Sequence, residues 1–127
     1  MPRGLAELQR SVKLQKRAAR VGFDWYAPEP VLDKLAEETG EMREAMATGD
    51  RARMEDELGD LLFVLTNLAR QLDIDPARAL RGANAKFERR FRAIERAAGN
   101  RAALEAMPLD EMEALWRRAK RDEGRER

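Results

Sequence analysis

Apolar residues recur along the chain at helical spacing, and the pattern predicts an all-α organisation. Leu5, Leu8, Val12 and the Leu14-Gln15 step mark a first amphipathic helix from Leu5 to Arg20. The stretch Gly22 to Pro30 carries a glycine and two prolines and is expected to be irregular. Pro30 suits the first turn of a second helix over Val31 to Ala47. Thr48-Gly49-Asp50 closes that helix and caps a third, which runs to about Leu72. Asp75-Pro76 opens a fourth, with Asp as N-cap and Pro in the first position, ended at Ala98 by Gly99-Asn100. Leu104 to Pro108 is too short for the pattern to assign. Asp110 with Glu113 reads as a capping arrangement opening a last helix through Lys120, and the charged tail Arg121 to Arg127 is expected to fray.

Two acidic clusters interrupt this pattern. Glu37-Glu38-Thr39-Gly40-Glu41 and Glu57-Leu58-Gly59-Asp60 each place two carboxylates three residues apart, Glu38 with Glu41 and Glu57 with Asp60. On a helix that spacing puts both side chains on one face. The second pair runs directly into Leu61-Leu62-Phe63-Val64-Leu65, so its helix is heading into a core. The short turn at Thr48-Gly49-Asp50 makes the second and third helices antiparallel neighbours. The chain climbs from Glu41 to this turn and descends to Glu57, so at roughly 1.5 Å per residue both return to similar heights. All four carboxylates can then face one point between the helices. Without a neutralising partner they would repel and be costly to desolvate, and a divalent cation is the simplest neutraliser. The competing reading is two solvated faces balanced by Lys34, Arg43 and Arg53. Gly40 costs about 1 kcal/mol relative to alanine inside a helix, which suggests a local packing need.

Composition narrows the chemistry. The chain of 127 residues contains no His and no Cys. That excludes imidazole acid–base catalysis, thiol nucleophiles, disulfides and a zinc site built on nitrogen or sulfur. Oxygen ligands suit Mg²⁺, Mn²⁺ or Ca²⁺. The length predicts one domain over residues 1–127. Charged residues make up 39% but balance to a net +1, so no excess seeks a nucleic acid. No signal peptide or membrane-length apolar run is present, and with zero Cys this favours the cytoplasm and no membrane partner.

Several segments together resemble one family. They are Val21-Gly22-Phe23-Asp24-Trp25; Val31-Leu32-Asp33-Lys34 leading to Glu37-Glu38-x-x-Glu41; Glu57-Leu58-Gly59-Asp60-Leu61-Leu62-Phe63; Asn67-Leu68-Ala69-Arg70; Asn84-x-Lys86-Phe87-Glu88-Arg89-Arg90-Phe91; and Trp116-x-x-x-Lys120. The sequence resembles the MazG family of nucleoside triphosphate pyrophosphohydrolases, in particular the C-terminal catalytic half of its two-domain members, from about Leu14 to Lys120. The best-known members carry two such domains and this sequence carries one. The resemblance implies an all-α helical bundle of the NTP pyrophosphatase type, with a core completed by dimerisation or higher assembly. It also implies Mg²⁺ dependence, with Mn²⁺ as a substitute, and hydrolysis of nucleoside triphosphates to monophosphate and pyrophosphate. By motif position, Glu38, Glu41, Glu57 and Asp60 are the metal ligands.

A triphosphate needs protein cations beside its metal. The resemblance places Lys86 and Arg90, four apart on one helical face, at the phosphates. Lys34, one turn before Glu38, and Lys120 are further candidates. The plain alternative pairs Lys86 and Arg90 with Glu88 or Glu95. Trp116 and Trp25 are both candidates to stack on a base, with core packing as the competing reading for each; stacking is the expectation for Trp116 and core packing for Trp25. Glu38 is the first candidate to take a proton from the attacking water, and Glu37 the second. One copy is expected to leave Phe63, Leu65, Leu68, Phe87 and Phe91 incompletely covered. A non-catalytic helical module that senses nucleotide or metal, or binds a protein, is the alternative class, and release of pyrophosphate from nucleoside triphosphates separates the two.

Overall fold

The computed structural model describes residues 3–125. Six helices follow one another: α1 (Arg3–Arg20), α2 (Pro28–Thr48), α3 (Arg51–Gln71), α4 (Pro76–Ala98), α5 (Arg101–Ala106) and α6 (Leu109–Arg125). No strand occurs among the described residues, so the all-α expectation holds. The chain falls into two compact units, Met1–Ala79 and Leu80–Arg127.

In the first unit α3 packs against both α1 and α2. The α2–α3 hairpin is built on a seven-residue repeat. α2 buries Val31, Glu38 and Ala45, with Leu35 and Met42 half-buried between them. α3 answers with Met54, Glu57, Leu61, Val64 and Leu68, none of which is exposed. Alternating steps of three and four residues keep such a row facing its neighbour. A tight turn sets the register. Gly49 takes the left-handed conformation at φ 71°, where a side chain would be strained. Asp50 then caps α3, its carboxylate accepting from the amides of Ala52 at 3.1 Å and Arg53 at 3.4 Å.

Polar side chains fasten α1 to α3. Gln15 Nε2 donates to Thr66 Oγ1 at 2.9 Å and to Ser11 Oγ at 3.0 Å, while Thr66 donates to the Phe63 carbonyl at 2.8 Å. Gln15 is buried and Leu14 is exposed. The apolar row on α1 steps through residues 8, 12 and 15, so Gln15 holds the inward position and Leu14 lies off it.

Several boundaries differ from expectation. α2 begins at Pro28, not Val31, because proline has no amide hydrogen to lose in a first turn and both prolines fit there. Residues 101–106 form α5, capped by Asn100 Oδ1 on the Ala103 amide at 2.8 Å. Asp110 lies inside the first turn of α6 and is not its N-cap, because the Pro108 carbonyl already accepts from Glu111 and Met112. α6 also continues through Arg121 to Arg125, where fraying was expected, and an ion pair described below anchors it there. The last two residues of that tail lie outside the described residues.

Gly40 sits in open space: a Cβ built there meets nothing within 4 Å. The packing explanation for it fails. Gly40→Ala should therefore stabilise the protein by about 1 kcal/mol, read as a higher urea midpoint at unchanged slope. A lower midpoint would mean that a neighbour from a second copy approaches this turn.

Candidate metal centre

Glu38 and Glu57 occupy positions in the helical seam where apolar residues belong. Glu38 is 6% exposed and stands midway between Val31 and Ala45 on α2. Carboxylate oxygens of Glu38, Glu41 and Glu57 lie within 4.8 Å of one another. The turn at Gly49 thus brings sequence-distant acids together, as the matched heights required.

The fourth expected ligand is arranged differently. Asp60 groups with Glu57 and Asp56, again with oxygens within 4.8 Å, and does not join Glu38 and Glu41 in one set. Five acids therefore form two overlapping groups that share Glu57, not a single point. Asp56 was passed over in the sequence, although it lies one turn before Asp60 on the same face and its spacing was readable.

Lys34 is the cation built into this cluster. Its Nζ lies 3.1 Å from Glu38 Oε1 and 3.6 Å from Glu37 Oε2, and these partners hold its pKa above the usual lysine value. One cation does not balance the acids. Glu41 is raised above the ordinary carboxylate range, chiefly by the charge of Glu38. Glu57 and Asp60 are raised chiefly by desolvation, with neighbouring carboxylates adding to it. Glu38 Oε2 and Glu57 Oε2 are buried without any hydrogen-bond partner. Buried carboxylate oxygens without donors are costly. The donor set is all oxygen, and it fits a hard divalent cation that would satisfy both orphaned atoms.

The connector before α2 is tied to the far end of α3. Asp24 accepts from Arg70 and, at 3.0 Å, from Gln71 Nε2, which also reaches the Trp25 carbonyl at 2.7 Å. Trp25 is 38% exposed, so the core expectation for it is corrected: the backbone of this segment is anchored and its ring is not enclosed. A separate cavity of about 630 Å³ lies between α1 and the α3–α4 connection, lined by Lys13, Lys16, Arg70 and Arg78, and contains none of the clustered acids.

The remaining expected site residues lie in the second unit. Arg90 is paired with neither Glu88 nor Glu95. Its Nε and Nη2 donate to Glu123 Oε2 on α6 at 3.1 and 2.9 Å, and its guanidinium carbon lies 5.3 Å from the centre of the Trp116 ring. Phe87 stacks on Phe91 at 6.0 Å and tilts against Trp116 at 5.4 Å. Lys86 and Lys120 are exposed and make no ion pair among the described residues.

Comparison with known proteins now places the chain. The model of the MazG nucleotide pyrophosphohydrolase domain matches residues 27–94, and the chain belongs to this family. It is similar to a nucleoside triphosphate pyrophosphohydrolase of Escherichia coli (strain K12), 48% identical over 126 residues that cover 97% of this chain and 48% of that protein. It is also similar to the Thermotoga maritima nucleoside triphosphate pyrophosphohydrolase/pyrophosphatase MazG, 40% identical over 114 residues, covering 89% of this chain and 44% of that protein. The chain spans about half the length of these curated relatives.

A carboxylate whose pKa is raised by folding binds its proton more readily folded than unfolded. Stability then falls as pH rises through the folded-state value. Without metal, Glu57→Gln should melt at a higher temperature than the parent protein at neutral pH. That advantage should shrink as the pH falls toward the ordinary carboxylate range, where Glu57 takes up its own proton. Added Mg²⁺ should raise the melting temperature of the parent more than that of the variant. A destabilised variant in chelator would show that Glu57 is satisfied without a cation.

Proposed function

We propose that this chain hydrolyses nucleoside triphosphates to a monophosphate and pyrophosphate, with Mg²⁺ as its cation and Mn²⁺ as a substitute. The observation that carries this reading is the convergence of Glu38, Glu41 and Glu57, two of them with a buried oxygen lacking a partner, in a member of the MazG family. Glu38, Glu41, Glu57 and Asp60 would hold the cation, with Asp56 beside them. When bound, the cation supplies Lewis acidity at the phosphoryl oxygens and offsets the charge of the triphosphate.

The chain's own residues do the rest. A water oxygen bonds to the α-phosphorus, the bond from that phosphorus to its bridging oxygen breaks, and pyrophosphate leaves with that oxygen. Glu38 accepts the water's proton, with the adjacent Glu37 as the alternative acceptor. Lys34 ion-pairs with both and keeps their charge in place. Lys34, Lys86, Arg90 and Lys120 hold the phosphates, and Trp116 offers a face to the base. The Escherichia coli relative aligns over 97% of this chain, which supports reading residues 1–127 as one functional domain. No helix among the described residues is long and apolar enough to cross a membrane, in keeping with action in the cytoplasm.

Reaction in isotopically labelled water tests the chemistry. Label should enter the monophosphate and not the pyrophosphate, and Asp60→Asn should lower turnover by more than about 100-fold, beyond the range for groups that only support a ligand. Label in pyrophosphate, or release of orthophosphate, would overturn the reaction class. Substantial turnover in Asp60→Asn would remove that residue from the ligand set.

Assembly is part of the same proposal. Leu58, Leu62 and Leu65 share one face of α3 and are each about half exposed. Phe63 and Phe87 are exposed too, at 48% and 59%, whereas Leu68 and Phe91 are partly covered. A second copy covering these residues makes the working form a homodimer or larger. Light scattering at micromolar concentration should return at least twice the mass of one chain, and a monomer mass would refute it.

A further inference from the structure

We infer that Glu123 is the positioning residue for Arg90, holding its guanidinium over the Trp116 ring so that the free edge of the group meets the polyphosphate. The inference rests on the phosphate role proposed above for Arg90 and adds a residue to which nothing else points. Trp116, Lys120 and Glu123 follow one another at steps of four and three residues, so one face of α6 carries the ring, a cation and the carboxylate. Across from it, Lys86 and Arg90 share a face of α4.

The geometry divides the donors of Arg90 cleanly. A guanidinium has five N–H donors in a rigid fork. Glu123 takes two of them, from Nε and Nη2, through the single oxygen Oε2. Both hydrogens of Nη1 and the outer hydrogen of Nη2 have no acceptor among the described residues. One hydrogen of Nη1 and the outer hydrogen of Nη2 point along the end of the fork, the edge that binds phosphate in bidentate fashion. Glu123 and a phosphate therefore use different edges of one group and do not exclude one another. The second oxygen of Glu123 lies 3.6 Å from Arg89 Nε, so two guanidinia share one carboxylate and the surroundings stay positive.

The arrangement is enclosed enough to matter. The Arg90 side chain is 13% exposed and that of Glu123 is 25% exposed. The guanidinium lies within the distance at which an aromatic face attracts a cation. The carboxyl of Glu123 sits below its ordinary pKa, chiefly through the hydrogen bond from Arg90, so it stays charged at neutral pH. An arginine with many rotamers is thus fixed before substrate arrives, which removes an ordering cost from binding.

Three variants of the full chain, assayed with a nucleoside triphosphate and Mg²⁺, test this. Glu123→Ala should raise KM about tenfold with a much smaller change in kcat. Glu123→Gln, which keeps an acceptor for Arg90, should recover most of that loss. In a Trp25→Phe background the emission of Trp116 should shift in Glu123→Ala and stay near the parent in Glu123→Gln. Tighter triphosphate binding in Glu123→Ala would mean that the carboxylate competes with phosphate, and would overturn the inference. Unchanged KM and emission in Glu123→Ala would also overturn it, while a raised KM in Arg90→Ala would leave the phosphate reading standing. An Arg90→Ala protein with parental kinetics would sink that phosphate reading and the positioning role with it. If Glu123→Ala does not fold, parental emission with impaired KM in Glu123→Gln counts against positioning, because the acceptor alone would then be insufficient.

Discussion

Two carboxylates in the seam of a helical hairpin constrain the rest of this molecule. Glu38 and Glu57 stand in rows that are otherwise Val31, Leu35, Met42 and Ala45 on α2, and Met54, Leu61, Val64 and Leu68 on α3. An apolar pair there would pack without penalty. Two anions with a third, Glu41, beside them repel, lose hydration and leave two buried oxygens unsatisfied. The apolar residues above and below must hold the hairpin closed against that repulsion. A divalent cation would relieve such a seam, and its binding energy would then add to folding energy.

The supports of the hairpin follow from this demand. Register must be set within one residue, because a shift of one position would turn Glu57 away from Glu38. Gly49 in the left-handed conformation and the Asp50 cap make the connection short enough to leave no slack. α1 then braces α3 from another side through Gln15, Ser11 and Thr66, and Asp24 ties the α1–α2 connector to Arg70 and Gln71. Polar fastening has a directional advantage here. Hydrogen bonds fix the rotation of α3, and the rotation of α3 decides where Glu57 and Asp60 point.

Much of this was legible in the residues. Carboxylates three apart announce a shared helical face, and the Gly49-Asp50 turn announces antiparallel neighbours, so the meeting of Glu38, Glu41 and Glu57 could be deduced. Separation of Asp60 into a group with Asp56 could not, because it depends on side-chain length and helix rotation and not on spacing. The Leu14-Gln15 step left open which of the two faces inward, and register, not hydrophobicity, decides it for Gln15. Trp25 was expected in the core because large aromatics usually are, yet its backbone is held by hydrogen bonds and its ring is left outside. Glu123 was hidden in a run of charge that reads as a solvated tail. Only its pairing with Arg90, across more than thirty residues of sequence, marks it out.

The balanced net charge of the chain conceals an uneven division. Residues 1–79 carry twelve Lys and Arg against fifteen Asp and Glu, and residues 80–127 carry thirteen against nine, so one unit is net −3 and the other net +4. The acidic excess belongs to the unit with the clustered carboxylates, and the basic excess to the unit with Lys86, Arg90 and Lys120. Under the function proposed above, a triphosphate with its cation would make both demands on the chain, a positive ion and a negative tail. Acids alone would bind the ion and repel the tail; bases alone would grip the tail and leave the ion to solvent. Separating the two charge types by sequence lets each be concentrated without cancelling the other in a shared cluster. Glu123, an acid of the basic unit, fits this logic because it takes the side edge of Arg90 and leaves the end of the fork free.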